Sequence, residues 1–219
     1  MKVVYEDNHL IIINKDPGEL SQSDYTKDQS LVEKVKNYLK IKYQKKGNVF
    51  LGLVNRLDRP TSGLLLFSKT SKALSRMNKL LKEKKIKKTY LAITENKPDN
   101  EEGKLVNYLL KNQNKNKSFV VDETHTKSKK AILTYKLLKS LKNYFLLEIV
   151  LETGRHHQIR CQLSNIRCYI KGDIKYGAKR PNKNKSISLH SKKIEFIHPV
   201  SKLNISVEAK PPDESIWLN

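Results

Sequence analysis

The run Leu64-Leu65-Leu66-Phe67 constrains the fold of this chain more than any other segment. Successive residues of a strand point to opposite faces, so four apolar residues in a row need cover on both sides. A strand buried in this way belongs inside a layered molecule. It follows the turn Pro60-Thr61-Ser62-Gly63, so the chain reverses just before it enters the core.

The flanking pattern fills in the layers. Val3-Val4-Tyr5 and Leu10-Ile11-Ile12-Ile13 read as two short strands around Glu6–His9, with a further turn at Asp16-Pro17-Gly18. Ser30 stands three residues before Glu33, a capping box that opens a helix running to about Tyr43 with Leu31, Val35, Tyr38 and Leu39 at helical spacing. Val49–Val54 is a second apolar run. Ser71 is the expected cap of a helix carrying Leu74, Met77, Leu80 and Leu81 on one side and lysines on the other. Strands are expected at Tyr90–Ile93, Ala131–Tyr135, Phe145–Val150 and near 187–197 and 203–208. A helix from about His156 presents Ile159, Leu163 and Ile166. Residues 111–130, rich in Lys, Asn and Ser, are expected to form a long mobile hairpin or loop. Many strands with few helices between them predict an α+β fold around a largely antiparallel sheet. The 219 residues suit one domain, residues 1–219, in one or two lobes.

Charge indicates the partner. Lys and Arg number 44 against 22 Asp and Glu, a formal charge of +22, which favours a polyanion. A general lysine bias is the bland account of this number. Arginine separates the two accounts: only seven of the basic residues are Arg, and four of them (Arg56, Arg59, Arg155, Arg160) fall in two short segments. Where Lys serves for plain charge, Arg marks places that need a flat, bidentate donor.

Cys161 and Cys168 are too few for a disulfide framework, so a reducing compartment is expected. The N-terminus lacks the long apolar run of a signal peptide, and no stretch approaches the ~20 apolar residues of a membrane span. These features predict a soluble, cytoplasmic protein.

In the first arginine segment, Arg56-Leu57-Asp58-Arg59-Pro60-Thr61-Ser62-Gly63, a carboxylate sits between two guanidinium groups before a tight turn. Such neighbours favour the ionised carboxylate, as a nucleophile or electrostatic stabiliser would need. Spacing alone equally fits a structural salt bridge.

Asn55-Arg56-Leu57-Asp58-Arg59-Pro60-Thr61-Ser62-Gly63 resembles the H-R-L-D-x-x-T-S-G motif of the RluA-type RNA pseudouridine synthases. Further segments match that family in order. Lys87-Lys88-Thr89-Tyr90-Leu91-Ala92 resembles K-x-Y-x-A, and Thr153-Gly154-Arg155-His156-His157-Gln158-Ile159-Arg160 resembles T-G-R-x-H-Q-I-R. Gly172-Asp173-Ile174-Lys175-Tyr176-Gly177 resembles G-D-x-x-Y-G, and Leu189-His190-Ser191 with His198-Pro199 resembles the closing L-H-A and H-P pair.

The resemblance implies a mixed, mostly antiparallel sheet with a cleft, and isomerisation of a uridine within RNA without a metal or organic cofactor. Carried over by motif, Asp58 is the essential aspartate. It either attacks C1′ or assists formation of a glycal, and the motif does not choose. Tyr90 stacks on the target base and helps remove the C5 proton; a plain strand tyrosine is its alternative. Arg160 pairs with Asp58. Arg56 helps extrude the uridine, with phosphate binding as its other reading. Arg59, Thr61, Ser62, Gly63, Arg155, His157 and Gln158 are expected on the substrate side, His157 by orienting the Arg155–Arg160 segment.

Asn55 stands where His is usual, which argues against an acid or base there. His156 replaces Thr or Ser, Cys161-Gln162 replaces Val-His, and Asp16-Pro17 alters K-P-x-G. Three rivals carry less. A metal site on the His and Cys residues lacks ligand spacing. A non-catalytic RNA-binding module leaves Asp58, Tyr90 and Arg160 without purpose. A nuclease has no recommending motif. The motifs do not separate ribosomal from transfer RNA. About 54 residues precede the catalytic motif, which leaves no room for an N-terminal S4 domain, and a monomer is the default expectation.

Overall fold

The computed structural model describes residues 1–24, 26, 28–212 and 215–218. The chain divides into two compact units, Met1–Ile86 with Ser191–Pro212, and Lys87–His190 with the C-terminal helix.

In the first unit β1 (Lys2–Glu6) and β2 (Leu10–Lys15) form an antiparallel hairpin, followed by α1 (Leu31–Lys42). Ser30 caps α1 and Glu33 reaches back to the Ser30 backbone, the reciprocal box that the sequence announces. The short β3 (Gly52–Leu53) and the longer β4 (Ser62–Ser68) come next, and β2 lies antiparallel on β4 with Leu10 opposite Ser68 and Lys15 opposite Gly63. Of the apolar run 49–54, only Gly52 and Leu53 pair as strand. The next helix, α2 (Ser71–Lys82), is capped by Thr70, whose hydroxyl accepts from the Ala73 amide. Ser71 was the expected cap; the neighbouring hydroxyl has the extended backbone that capping needs.

All seven residues of β4 are buried. Leu64 and Leu66 join Leu10, Ile12, Ala73, Met77 and Phe196 in one core. Leu65 and Phe67 point the other way, as do Ile11 and Ile13, and are equally buried. Each such side chain contributes roughly 1.5–3 kcal/mol, so β4 is the spine of this unit.

The second unit holds β5 (Lys87–Thr94), β6 (Glu102–Asn112), β7 (Lys117–Val121), β8 (Lys129–Ser140) and β9 (Phe145–Leu151) in the order β5-β9-β8-β6-β7, every neighbour antiparallel. The stretch 111–130 holds the expected hairpin together with a loop: β6 ends at Asn112, a turn at 113–116 leads to β7, and residues 122–128 connect β7 to β8. Its polar composition reflects the turn, the connecting loop and exposed strand positions. Next comes α3 (Gln158–Asn165), which starts two residues after His156 because His157 has φ 51°, outside the helical region. Then β10 (Leu189–Ile197) runs from this unit into the first, where it pairs with β11 (Asn204–Glu208), and α4 (Ser215–Leu218) closes the chain. The α+β class and the antiparallel sheet follow the expectation. Among the described residues no helix is long and apolar enough to cross a membrane.

Candidate active site

Asp58 lies half-buried on the loop between β3 and β4. That loop is pinned at almost every residue. Asn55 Oδ1 accepts from the Leu66 amide at 2.8 Å, tying the loop entrance to the buried strand. Here Asn55 acts as a backbone clamp, a task that needs an amide and no titratable group. Ser21 Oγ donates to the Leu57 carbonyl at 2.7 Å. The Thr61 amide donates to the Asp58 carbonyl at 3.0 Å and closes the turn.

Beneath this turn sits Lys15, fully buried at the end of β2. Its ammonium donates to the carbonyls of Asp16, Arg59 and Thr61 at 3.0, 3.0 and 2.6 Å. Burial pushes its pKa down to about 8, while the carboxylates of Glu19, Asp58 and Asp16 oppose the shift. Three carbonyl acceptors and nearby carboxylates compensate this cation for lost water. Lys15 has no signature in the sequence, because one lysine carries little signal in so lysine-rich a chain.

Arg59 is exposed; its Nε donates to the Gly18 carbonyl and its Nη2 pairs with Asp28 at 2.6 Å. Arg56 is exposed as well. Thr61 and Ser62 are buried, and Thr61 Oγ1 has no hydrogen-bond partner among the described residues. Gly63 has φ +110°, and a Cβ there would lie 2.3 Å from the Ser191 carbonyl oxygen. Only glycine fits both the angle and the contact.

In the second unit Tyr90 stands on β5 opposite Ile149 and is 6% exposed. Arg160, on α3, is buried with Asp173: Nε and Nη2 reach the two carboxylate oxygens at 2.7 and 2.8 Å. Its guanidinium also lies over the Tyr176 ring, 5.0 Å from the centroid. The Tyr176 hydroxyl contacts His157 Nδ1 at 3.0 Å and accepts from the Ser118 amide at 2.8 Å. Burial pushes the Tyr176 phenol well above its ordinary range, so it remains a neutral donor. The G-D-x-x-Y-G resemblance of Asp173 and Tyr176 implies no task for either residue. Their task is to fix the guanidinium and the His157 corner.

Gln158 is buried, and both ends of its amide are engaged. Oε1 accepts from the Arg155 amide and the Thr153 hydroxyl at 2.9 and 2.8 Å, and Nε2 donates to the Ile132 carbonyl at 3.0 Å. Exposed Arg155 is held through Nε on the Lys130 carbonyl. Thus the second arginine segment is a rigid corner at the start of α3, from which Arg155 projects outward and Arg160 inward. Among the described residues no cluster of His, Cys, Asp and Glu is arranged to hold a metal.

These local arrangements can be set beside known proteins. The family model for RNA pseudouridylate synthase matches residues 9–165. A ribosomal large subunit pseudouridine synthase C of Rickettsia bellii is 36% identical over 212 residues, covering 96% of this chain and 68% of that protein. The corresponding synthase C of Buchnera aphidicola (subspecies Baizongia pistaciae) is 34% identical over 215 residues, covering 94% of this chain and 66% of its own. In fold, the chain is similar to human RNA pseudouridylate synthase domain containing 4, with a TM-score of 0.83 at 20% identity over 99% of this chain and 90% of that one. The resemblance carried by the ordered motifs is thereby shown, and the chain belongs to the RNA pseudouridylate synthase family of isomerases.

Proposed function

We propose that this protein converts a uridine of structured RNA to pseudouridine with Asp58 as the catalytic carboxylate. The pinned Asp58 loop carries the reading. A carboxylate that must meet a sugar carbon gains from being aimed in advance, and this loop is fixed by Lys15, Ser21, Asn55 and the Gly63 approach. A loop serving only as a turn would not need a buried ammonium beneath it.

Tyr90 and Arg160 are the partners we assign to Asp58 in the reaction, Tyr90 at the base and Arg160 at the carboxylate. The aromatic ring of Tyr176 and the Asp173 carboxylate support the Arg160 guanidinium from its own unit. Among the substrate-side residues, exposed Arg56, Arg59 and Arg155 are assigned to RNA phosphate and to the space left by the extruded uridine. Thr61, Ser62, Gly63, His157 and Gln158 are buried, and we assign them a share in shaping the two loops.

The target is proposed to be ribosomal RNA of the large subunit, because the curated relatives carry that substrate in their names. Transfer RNA is the competing class. Action as a monomer in the cytoplasm completes the reading. Mapping pseudouridines across the transcriptome with and without the gene tests it. Loss of one or a few large-subunit sites supports the assignment. Loss confined to transfer RNA redirects it, and an unchanged map contradicts it.

A further inference from the structure

Lys88 is a half-buried cation that meets no anion among the described residues. On β5 it stands opposite Leu151, two residues before Tyr90, so both side chains leave the same face of the strand. Two residues of strand span about 6.6 Å, on the scale that separates a nucleotide's base from its own backbone phosphate. The Lys88 ammonium lies 3.4 Å from where a Gly154 Cβ would be, against the Thr153-Gly154-Arg155 corner. Among the described residues no hydrogen bond or ion pair engages it. The neighbouring Glu152 carboxylate is taken by Lys104 at 2.7 Å. Arg155, next in the corner, adds a second positive group. Burial lowers the Lys88 pKa, with no carboxylate to offset it.

An uncompensated ammonium on the strand of a proposed base-stacking tyrosine costs the empty protein stability. A bound anion repays that cost. We propose that Lys88 receives a phosphodiester adjoining the target uridine, fixing that nucleotide's backbone while Tyr90 meets its base. The inference rests on the pseudouridine synthase reading and adds to it a charge contact confined to one linkage. Lys88 is thus a substrate-binding residue with no part in the bond changes.

Lys88→Met keeps the aliphatic stem and removes the charge. The probe is the shortest RNA fragment in which the wild-type enzyme forms pseudouridine. It is used with all linkages native, and with one uncharged methylphosphonate placed 5′ or 3′ of the target uridine in turn. Expected are a KM about tenfold higher for Lys88→Met on native RNA, a kcat within about twofold, and partial rescue by Lys88→Arg. The salt dependence of log KM should flatten by about one phosphate contact. One methylphosphonate should weaken wild-type enzyme about as much while leaving Lys88→Met indifferent. The thermal midpoint of Lys88→Met should equal or exceed that of wild type.

A wild-type KM in Lys88→Met overturns the proposal. So does equal sensitivity of both enzymes to each methylphosphonate, or a lower midpoint with kcat falling and no rescue by Arg. These results leave the synthase reading intact. Failure of wild-type enzyme to form pseudouridine in any RNA overturns that reading and the inference together.

Discussion

Arg160 and Asp173 meet through two parallel charged hydrogen bonds of 2.7 and 2.8 Å in a buried setting. The pair ties α3 to the short 3-10 turn at Ile174–Tyr176. Removing one member of such a pair leaves the other charge buried without its two strongest hydrogen bonds, typically a loss of 3–5 kcal/mol. Asp173→Ala should therefore destabilise the protein by that order and abolish activity. Asp173→Asn should fall short of wild type on both counts. Urea unfolding at constant slope, read beside pseudouridine formation, checks this.

Lys15→Met would leave the carbonyls of Arg59 and Thr61 without their buried donor. We expect a loss of roughly 2–4 kcal/mol. We also expect kcat to fall at least tenfold at temperatures where the variant is fully folded, because the Asp58 loop loses its floor. RNA affinity should change little. Single-turnover rates at saturating RNA separate the two effects.

Gly63→Ala asks a β-carbon to occupy the place of the Ser191 backbone, at a φ that L-residues rarely adopt. Backbone cannot yield as a side-chain tip can. The variant should lose more than about 4 kcal/mol and accumulate as insoluble chain. Gly18→Ala, with φ +91° but open space around it, should cost only about 1 kcal/mol. Thermal midpoints of the two variants made in parallel provide the comparison.

The elements legible in the sequence were those whose local chemistry agrees with their packing. Ser30 and Glu33 announce α1 because the capping box is a contact between those same residues. Leu64–Phe67 announces a doubly covered strand because burial on both faces leaves no polar position. β6 escaped notice for the opposite reason. Its alternating burial is carried by Gly103, Leu105 and Asn107 among exposed Glu102, Lys104 and Val106, so it is held by pairing with β7 and β8 more than by its own apolar content. The Asp58 loop was found by its arginines and its motif, whereas Lys15 was not. The acceptors of its ammonium lie up to 46 residues away, and no local pattern encodes them. The partnership of Arg160 with Asp173 likewise needs the fold that brings α3 back to the turn.

Both cysteines are free and buried, and burial pushes their thiols up to about 11 from an ordinary 9.0. Below pH 9 the thiols are neutral in folded and unfolded chains alike, and pH has no effect through them. Between pH 9 and 11 the unfolded chain releases protons that the folded chain keeps, so stability falls as pH rises. Screening by solvent leaves this at about 1 kcal/mol per thiol. Lys15 acts in the opposite sense above pH 8, since its folded pKa lies below 10.5. The double variant Cys161→Ala/Cys168→Ala should lose less stability than wild type between pH 8 and 10.5, as urea titrations at each pH will register. Native enzyme at pH 8 should react slowly with thiol reagents.

The central claim is that Asp58 performs the chemistry. Its most direct test is tritium release from RNA labelled at C5 of uridine, comparing wild type with Asp58→Ala at equal RNA occupancy. The account predicts release by wild type and none by Asp58→Ala, with RNA affinity largely retained. Release by Asp58→Ala at the wild-type rate would contradict it.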